Sequence, residues 1–249
     1  MTTIYRCFVA DFKKTKHLPF WSAHLIIPIC VAGVFLLYYT TAPWNAQEKI
    51  NAYFQTLGIG FPILISLFSV MLAEQELSAD SYQTMLSAPK RLPMFYSKLI
   101  LLIACGAFSV FLASVLFGVG NLYVIKQSMV DMPFYLSSAF VLVTANILLY
   151  IFHWFLALRF NKGVSIIISI TESIVTALLL TGMGEEIWCY VPCAWASRLI
   201  TCMLALTITG QAFDMKCIMA ISLCVILTVC TGFLFGIWAC HWDGQHTDN

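Results

Sequence analysis

The chain carries the stretch Glu74-Gln75-Glu76-Leu77-Ser78-Ala79-Asp80, which opens its only long polar segment. The segment continues through Pro89-Lys90-Arg91 and ends at Lys98, where apolar sequence resumes. Acidic residues stand where one apolar run stops, and basic residues precede the next run. This pattern is typical of a cytoplasmic connection between two membrane-spanning helices. Residues 74–98 are called the polar segment below.

Composition indicates an integral membrane protein. Of the 249 residues, 61% are hydrophobic and 10% are charged, and the mean hydropathy is +0.88. Soluble domains average about 25% charged residues and about 45–50% apolar residues. A span needs roughly 20 apolar residues, so the length allows about six spans and no second soluble domain. We therefore predict one all-α, polytopic domain over residues 1–249. The net charge of +1 excludes a global field that would attract nucleic acid.

Six apolar runs are long enough to cross a bilayer once helix tilt is allowed. They lie at about 20–40, 57–73, 97–119, 134–157, 164–183 and 217–240. With the N-terminus inside, most Lys and Arg residues also lie inside, and the exceptions are Lys49, Lys126, Arg198 and Lys216. The positive-inside rule then predicts that both termini are cytoplasmic.

Residues 1–18 are expected to form an amphipathic elbow helix before the first span. Ile4, Phe8 and Phe12 recur at i, i+4 and i+8 among basic residues, as in helices that lie on a membrane surface. The alternative is a frayed basic tail. The stretch lacks the pattern of a cleaved signal peptide.

Residues 184–216 form the predicted external loop. Its apolar part, Leu199–Ile208, covers only about half a span. Extending this part backwards would put Arg198 in the bilayer at a cost of roughly 2.5–3.5 kcal/mol. We therefore expect an external interfacial or re-entrant helix before the sixth span; a seventh span, with the C-terminus outside, is the alternative. Cys189 and Cys193 are compatible with a disulfide, but free thiols are favoured because no other disulfide framework is visible.

Common catalytic and nucleotide-binding motifs are absent from the sequence. There is no G-x-x-x-x-G-K-[ST] loop to cradle ATP phosphates, and no H-E-x-x-H, G-x-S-x-G or C-x-x-C. An intramembrane metalloprotease built on His153, Glu185 and Glu186 is disfavoured, because the carboxylates fall at a helix end and zinc needs three convergent ligands. We expect no catalytic, cofactor-binding or metal-binding residues in this chain.

Glu172 is the clearest charge inside a predicted span. Ser165, Ser169, Glu172 and Thr176 recur at i, i+4, i+7 and i+11, so they form one polar stripe. The stripe either belongs to a substrate path or packs a neutral Glu172 against a neighbouring helix. No base or nucleophile is seen to accompany it.

Further candidate residues lie near the external end and in the last span. Acidic and aromatic residues of the external loop form either a docking surface for a cationic, amphipathic ligand or an ordinary aromatic belt; they are Glu185, Glu186, Trp188, Tyr190 and Trp195. Gly232 and Gly236 form a G-x-x-x-G that allows close helix packing, either within one subunit or between subunits.

The helix of the second span is predicted to continue into the polar segment. It would present Glu74 and Glu76 outside the bilayer, and Pro89 and Pro93 would end helices. A short charged helix held between two spans can transmit a push. The alternative is a plain polar loop, although about 23 residues of structureless loop are uncommon in a compact protein.

Blocks of sequence along the whole chain carry a family resemblance. They are Asp11-Phe12-Lys13-Lys14-Thr15-Lys16-His17 with Trp21 and Pro28, Glu74-Gln75-Glu76, Met85-Leu86-Ser87-Ala88-Pro89-Lys90-Arg91 with Tyr96 and Lys98, Tyr190-Val191-Pro192 with Trp195, and Trp238, Trp242, Asp243 and Gly244. The chain thereby resembles the permease subunits of type-2 ABC exporters. More narrowly, it resembles the lantibiotic self-protection (immunity) permeases, which are related to bacitracin-resistance permeases.

The resemblance implies a complex in a bacterial plasma membrane. Two permease chains, the same or different, would join two copies of a separate P-loop ATPase that binds ATP and Mg. This chain would bind no cofactor and would expel a lantibiotic or similar cationic peptide antibiotic. The implied ATPase-coupling residues are Glu74, Glu76, Asp80, Pro89, Lys90 and Arg91.

Two other functions stay open at this stage. A stand-alone secondary transporter or channel would use Glu172 as a proton or cation site, although no inverted repeat is detected. A membrane scaffold or sensor would bind a peptide without moving it.

Overall fold

The computed structural model describes residues 3–210 and 212–244, and all regular structure within these ranges is helical. The α-helices are α1 (Thr3–Lys14), α2 (Phe20–Thr41), α3 (Ala46–Asp80), α4 (Gln83–Leu86), α5 (Leu92–Val119), α6 (Met132–Ala145), α7 (Ile147–Arg159), α8 (Lys162–Leu179), α9 (Pro192–Thr209) and α10 (Met215–His241). Short 3-10 helices occupy Thr15–His17, Gly182–Gly184 and Trp188–Tyr190, and a π-helical turn, Gly120–Ile125, extends α5.

Six helices of the described ranges are long and apolar enough to cross a membrane, namely α2, α3, α5, α8, α9 and α10. The predicted all-helical fold, with about six helices long and apolar enough to span a membrane, is thus confirmed. The set of candidate spans differs from the expectation. Helix α9 is long and apolar enough to cross a membrane, whereas the apolar run Leu199–Ile208 alone is too short. Conversely, the run 134–157 does not form one straight helix.

The predicted fourth span is broken at Asn146, where α6 and α7 meet at an angle of 41°. The Asn146 side chain donates Nδ2–H to the Leu142 carbonyl oxygen at 2.7 Å. Its backbone N–H donates to the Val143 carbonyl oxygen, three residues earlier, and not to the residue four earlier as in a regular α-helix. Asn side chains compete in this way with backbone hydrogen bonds, which disfavours a continuous helix. Hydropathy alone does not detect such a break.

The longest helix, α3, has 35 residues and packs against α7, α8 and α9. A capping box starts it: Glu48 N–H donates to Asn45 Oδ1 at 2.8 Å, and Asn45 N–H donates to Glu48 Oε2 at 3.1 Å. The predicted continuation of this helix into the polar segment is confirmed, since α3 ends at Asp80. Ser81 and Tyr82 follow with φ of 52° and 64°, and two left-handed residues in a row turn the chain sharply.

Helix α9 begins beside the middle of α8 and runs in the same direction. Pro192 lies with Glu172 around one cleft. Six residues after Pro192, Arg198 donates Nε–H to the Leu179 carbonyl oxygen at 2.8 Å, at the end of α8. Residues 180–191 therefore return from the end of α8 to its middle. Arg198 satisfies carbonyl groups that a helix C-terminus leaves open.

Both ends of the described chain meet the polar segment. Near the N-terminus, Asp11 of α1 lies 2.6 Å from the Lys98 ammonium of α5. After α10, the Trp242 carbonyl oxygen accepts a hydrogen bond of 3.0 Å from Arg91 Nη1. The start of the chain and the end of α10 therefore lie at the same end of the bundle.

Two helices expose apolar surface along most of their length. In the hydrophobic windows of α2 and α10, only 22% and 11% of the residues are buried. The outward residues of α10 include Ile218, Val225, Val229 and Phe233. Such a continuous apolar surface is not stable in water and indicates a lipid or protein environment.

The contact between α3 and α9 depends on a glycine. An ideal Cβ at Gly58 would lie 1.9 Å from Ser197 Oγ. We expect Gly58→Ala to destabilise the fold by about 1–3 kcal/mol, because overpacking forces helices apart. The double variant with Ser197→Ala should recover part of the loss, since the buried Ser197 hydroxyl has no hydrogen-bond partner among the residues that the structure describes.

Denaturant titration of the protein in detergent measures this effect. Gly60→Ala is the matched control, because no atom lies within 4 Å of its ideal Cβ. Equal stability of the Gly58 and Gly60 variants would contradict the close packing of α3 on α9.

Candidate functional site

The ammonium group of Lys98 lies between two carboxylates from distant parts of the chain. Its Nζ atom is 2.7 Å from Glu76 Oε1 on α3 and 2.6 Å from Asp11 Oδ1 on α1. No more than 5% of any of these three side chains is exposed. A single cation of α5 therefore holds α1 and the end of α3 together.

Two further groups complete this cluster. Ser97 donates its hydroxyl to Asp11 Oδ2 at 2.5 Å. Lys14 approaches Glu76 Oε1 at 3.2 Å from the surface, with 40% of its side chain exposed. The two carboxylates and two ammonium groups are formally neutral together. Asp11, Lys14, Glu76, Ser97 and Lys98 are called the Lys98 cluster below.

Helical spacing explains which groups reach the cluster. Asp11 and Lys14 are three residues apart, so both lie on one face of α1. Glu74 and Glu76 are two residues apart, so they point to nearly opposite sides of α3. Glu76 turns inward to Lys98, whereas the exposed Glu74 pairs with Lys162 at 3.1 Å. Glu76 is therefore buried within the protein, whereas Glu74 is exposed at its surface.

The turn after α3 packs against Trp242, the residue that follows α10. The ring of Tyr82 contacts that of Trp242, with centroids 5.2 Å apart. Phe95 of α5 lies 5.7 Å from the same Trp242 ring. Burial raises the pKa of Tyr82 to about 12, and the charges of Glu76 and Glu74 act in the same direction. The polar segment is thus a folded unit with an aromatic core of its own.

The remaining predicted coupling residues lie at the surface of the polar segment. Asp80 accepts hydrogen bonds from the Thr84 backbone N–H at 3.0 Å and from the Thr84 hydroxyl, which fixes the start of α4. Pro89 and Lys90 are exposed. With Arg91 they line a cleft of about 560 Å³ that also includes Cys240 of α10.

Sequence reasoning did not assign Asp11 and Lys98 to the site. Asp11 is the one acidic residue of a helix that otherwise carries basic charges, and Lys98 lies at the edge of an apolar run. Both positions are costly for a charge unless a partner is present. This cost indicates that each charged residue has a partner, but it does not identify the partner.

Glu172 has a partner that the sequence did not predict. Its Oε2 atom lies 2.7 Å from His153 Nε2 on α7. Ser169 and Thr176 are buried, and their hydroxyls donate to carbonyl groups of their own helix, at Ile166 and Glu172. The stripe therefore packs inward: the Glu172 carboxylate bonds to α7, and the Ser165 hydroxyl contacts His153 of α7 and Ser66 of α3.

The acidic and aromatic residues of the predicted external loop do not form one exposed surface. Trp188 and Trp195 are buried, with 3% and 0% exposed, because they fill the core where α9 meets its neighbours. Of the three aromatic residues, Tyr190 alone is exposed.

The two acidic residues of the external loop are neutralised. Glu185 pairs with Arg198 at 2.8 Å, and Glu186 pairs with Lys216 at 3.0 Å. A surface balanced in this way offers little net attraction to a cation.

The remaining expectations concern cysteine, glycine and metal sites. Cys189 and Cys193 are free thiols. Both glycines of the G-x-x-x-G pack within the same chain: Gly236 faces the Tyr96 ring, Gly232 faces Ile151, and the Tyr96 hydroxyl donates to the Gly232 carbonyl oxygen at 2.8 Å. Within residues 3–210 and 212–244, no three His, Cys, Asp or Glu residues group closely enough to hold a metal ion.

The Lys98 cluster makes a testable contribution to stability. Lys98→Met would leave Asp11 and Glu76 buried without their shared cation, so we expect the free energy of unfolding to fall by about 3–5 kcal/mol. Unfolding in a detergent titration measures it. Lys90→Met, an exposed change of the same type, should stay within about 0.5 kcal/mol of the parent.

A triple variant separates charge from packing. Asp11→Asn, Glu76→Gln and Lys98→Met together should recover most of the loss, because replacing a whole buried ion pair is often close to neutral. A triple variant as unstable as Lys98→Met would show that packing dominates.

Comparison with known proteins identifies no relative: no protein-family model, curated protein or solved structure matches this chain. The family resemblance therefore rests on the sequence blocks quoted above.

Proposed function

We propose that this chain is the membrane permease subunit of an ATP-driven exporter that expels a lantibiotic or similar cationic peptide antibiotic. The exporter would give its bacterial cell immunity or resistance. The ATP- and Mg-binding subunits would be separate P-loop ATPases, present in two copies beside two permease chains. The proposal joins the sequence resemblance to the architecture of the polar segment.

The Lys98 cluster is the observation that carries this proposal. Lys98 links α5 to α3 through Glu76 and to α1 through Asp11. Moving one of these helices alone would leave a buried charge without its partner, which is strongly unfavourable. A force applied to the polar segment would therefore move the three helices together, as a coupling element requires.

The cleft lined by residues 88–93 and Cys240 is the surface on which an ATPase would act. Lys90 and Arg91 make it basic, so an acidic patch on the partner would be complementary. Arg91 also bonds to the Trp242 carbonyl, so a push on the cleft would reach the end of α10. Exposed Glu74 would add a second contact on the other side of α3.

The contacts at both ends of the chain support an even number of crossings. The contacts of α1 and of Trp242 with the same polar segment support an even number of spans. In this proposal α6 and α7 make one bent crossing. Residues 182–209 would enter and leave from the external side as a re-entrant pair, and both termini would be cytoplasmic.

Two other functions compete with this proposal. A stand-alone transporter or channel using Glu172 is favoured by one observation, the bond between Glu172 and His153, because paired ionisable residues inside a membrane can carry protons. A scaffold or sensor would bind a peptide without ATP-dependent release.

Purification from native membranes in mild detergent tests the complex. We expect a P-loop ATPase and a second permease chain, identical or different, to co-purify, with two ATPase copies for every two permease chains. Recovery of this chain alone, together with peptide export that persists after ATP depletion, would favour the stand-alone transporter.

Charge reversal at the cleft tests the contact surface. We expect Lys90→Glu to weaken ATPase recovery and to raise the sensitivity of cells to a panel of lantibiotics by severalfold, because like charges would face each other. Lys126→Glu, an exposed change at the opposite end of the bundle, is the matched control. Equal protection by both variants would exclude this cleft as the docking surface.

The two carboxylates of the E-x-E call for separate tests. Glu74→Gln should lower protection without lowering the amount of folded protein, because its side chain is half exposed. Glu76→Gln should lower the stability of the chain itself, because it removes a charge from the Lys98 cluster. Protection measured per folded molecule separates the two effects, and unchanged protection by Glu74→Gln would refute its coupling role.

A further inference from the structure

A second polar site lies near the middle of the bundle, in a cleft between α7, α8 and the start of α9. The cleft has a volume of about 450 Å³ and a mostly apolar lining that includes Leu148, Phe152, Val175 and Pro192. Glu172 is the one residue with a carboxylate among the residues that line it. We call it the Glu172 cleft.

The carboxylate of Glu172 is fixed from one side by a chain of buried hydrogen bonds. His153 Nε2 lies 2.7 Å from Glu172 Oε2, and His153 Nδ1 lies 3.0 Å from Ser165 Oγ. Ser165 in turn contacts Ser66 of α3 at 2.8 Å. His153 and both serines are fully buried. This chain of contacts fixes the carboxylate against α7 and α3.

The other oxygen of Glu172 is available to a ligand. Oε1 makes no hydrogen bond to a residue in the part of the chain that the structure describes, and 16% of the side chain is exposed. A carboxylate inside a membrane-spanning bundle is costly without a second partner. The site therefore lacks one donor on the side of the cleft.

The hydrogen-bond geometry favours a cationic partner. All the contacts are satisfied when His153 donates Nε2–H to the Glu172 carboxylate and accepts at Nδ1 from the Ser165 hydroxyl, with Ser66 donating to Ser165. A carboxylate that accepts from a neutral imidazole keeps its negative charge. The Cys193 thiol of α9 also lies near Glu172 and Thr176. A cation is the complementary ligand.

The shape of the cleft narrows the class of cation. An apolar lining does not replace the water around an inorganic ion, whereas it stabilises a hydrocarbon chain. A volume of about 450 Å³ accommodates an ammonium group with several carbon atoms and is too small for a folded peptide.

From this geometry we propose that the Glu172 cleft binds a primary ammonium group carried on an apolar chain. We identify the natural ligand as a lysine side chain of the membrane-bound cationic peptide, and this identification rests on the proposed function. Ammonium binding to the cleft itself does not require the ATPase.

Binding of decylamine to the purified chain in phosphatidylcholine nanodiscs tests the site. Equilibrium dialysis of the labelled amine, corrected for empty nanodiscs, gives the affinity, and 1-decanol is the uncharged counterpart. We expect Glu172→Gln to weaken decylamine binding by about tenfold or more and to leave decanol binding unchanged, because the charge-assisted bond is lost. Glu186→Gln removes an exposed carboxylate and should change neither.

The expected role of His153 is to position the carboxylate. His153→Leu should weaken decylamine binding, and His153→Gln, which keeps a donor for Glu172, should restore most of it. Decanol binding by both variants shows that they fold. Equal amine affinity in the parent and in Glu172→Gln would overturn the proposal, as would parallel losses of amine and decanol binding.

A second arm identifies the source of the ammonium group. A soluble amphipathic peptide that carries one lysine should displace decylamine, whereas its acetyl-lysine form should not. Displacement by phosphatidylethanolamine in the nanodisc, without displacement by the peptide, would overturn the peptide assignment in favour of a lipid amine. Because the assay contains no ATPase, its outcome is independent of the co-purification experiment.

Discussion

The fold depends on one buried cation. Lys98 lies at the start of α5, and its ammonium group is shared by carboxylates from α1 and α3. Each carboxylate would be unstable at its position without this partner, and Lys98 would be unstable without them. The N-terminal helix, the second long helix and the third are therefore tied together by electrostatics at the point where apolar packing gives way to polar sequence. Trp242 and Arg91 attach the end of α10 to the same segment.

The bundle thus contains two different polar sites: the Lys98 cluster at one end and the Glu172 cleft near the middle. In the Lys98 cluster the charged groups are paired with one another. At the Glu172 cleft the carboxylate is bonded on one side and open on the other. Buried charges that are fully paired specify structure, whereas a charge with a free oxygen inside an apolar cleft is suited to recognition. Our proposals accordingly assign force transfer to the first site and ligand binding to the second.

Periodicity and hydropathy predicted much of the fold and less of the site. The long apolar runs became helices, and the polar segment proved to be structured, because both features are local. Helical spacing separates Glu74 from Glu76, but only the distant Lys98 and Asp11 determine which of them turns inward. His153 and Glu172 are predicted on different helices, and nothing in their spacing shows that they meet. Trp188 and Trp195 resembled an interfacial belt because burial in a core and exposure at an interface favour the same aromatic residues.

The break at Asn146 has a mechanical consequence. α6 packs mainly against α5 and α9, whereas α7 packs mainly against α3 and α10 and makes smaller contacts with α5, α8 and α9. A continuous helix would transmit a tilt from one of these groups to the other as a stiff rod. A helix interrupted by a side-chain amide bends at a lower cost. The two halves of this crossing can therefore tilt by different amounts, each with its own main neighbours.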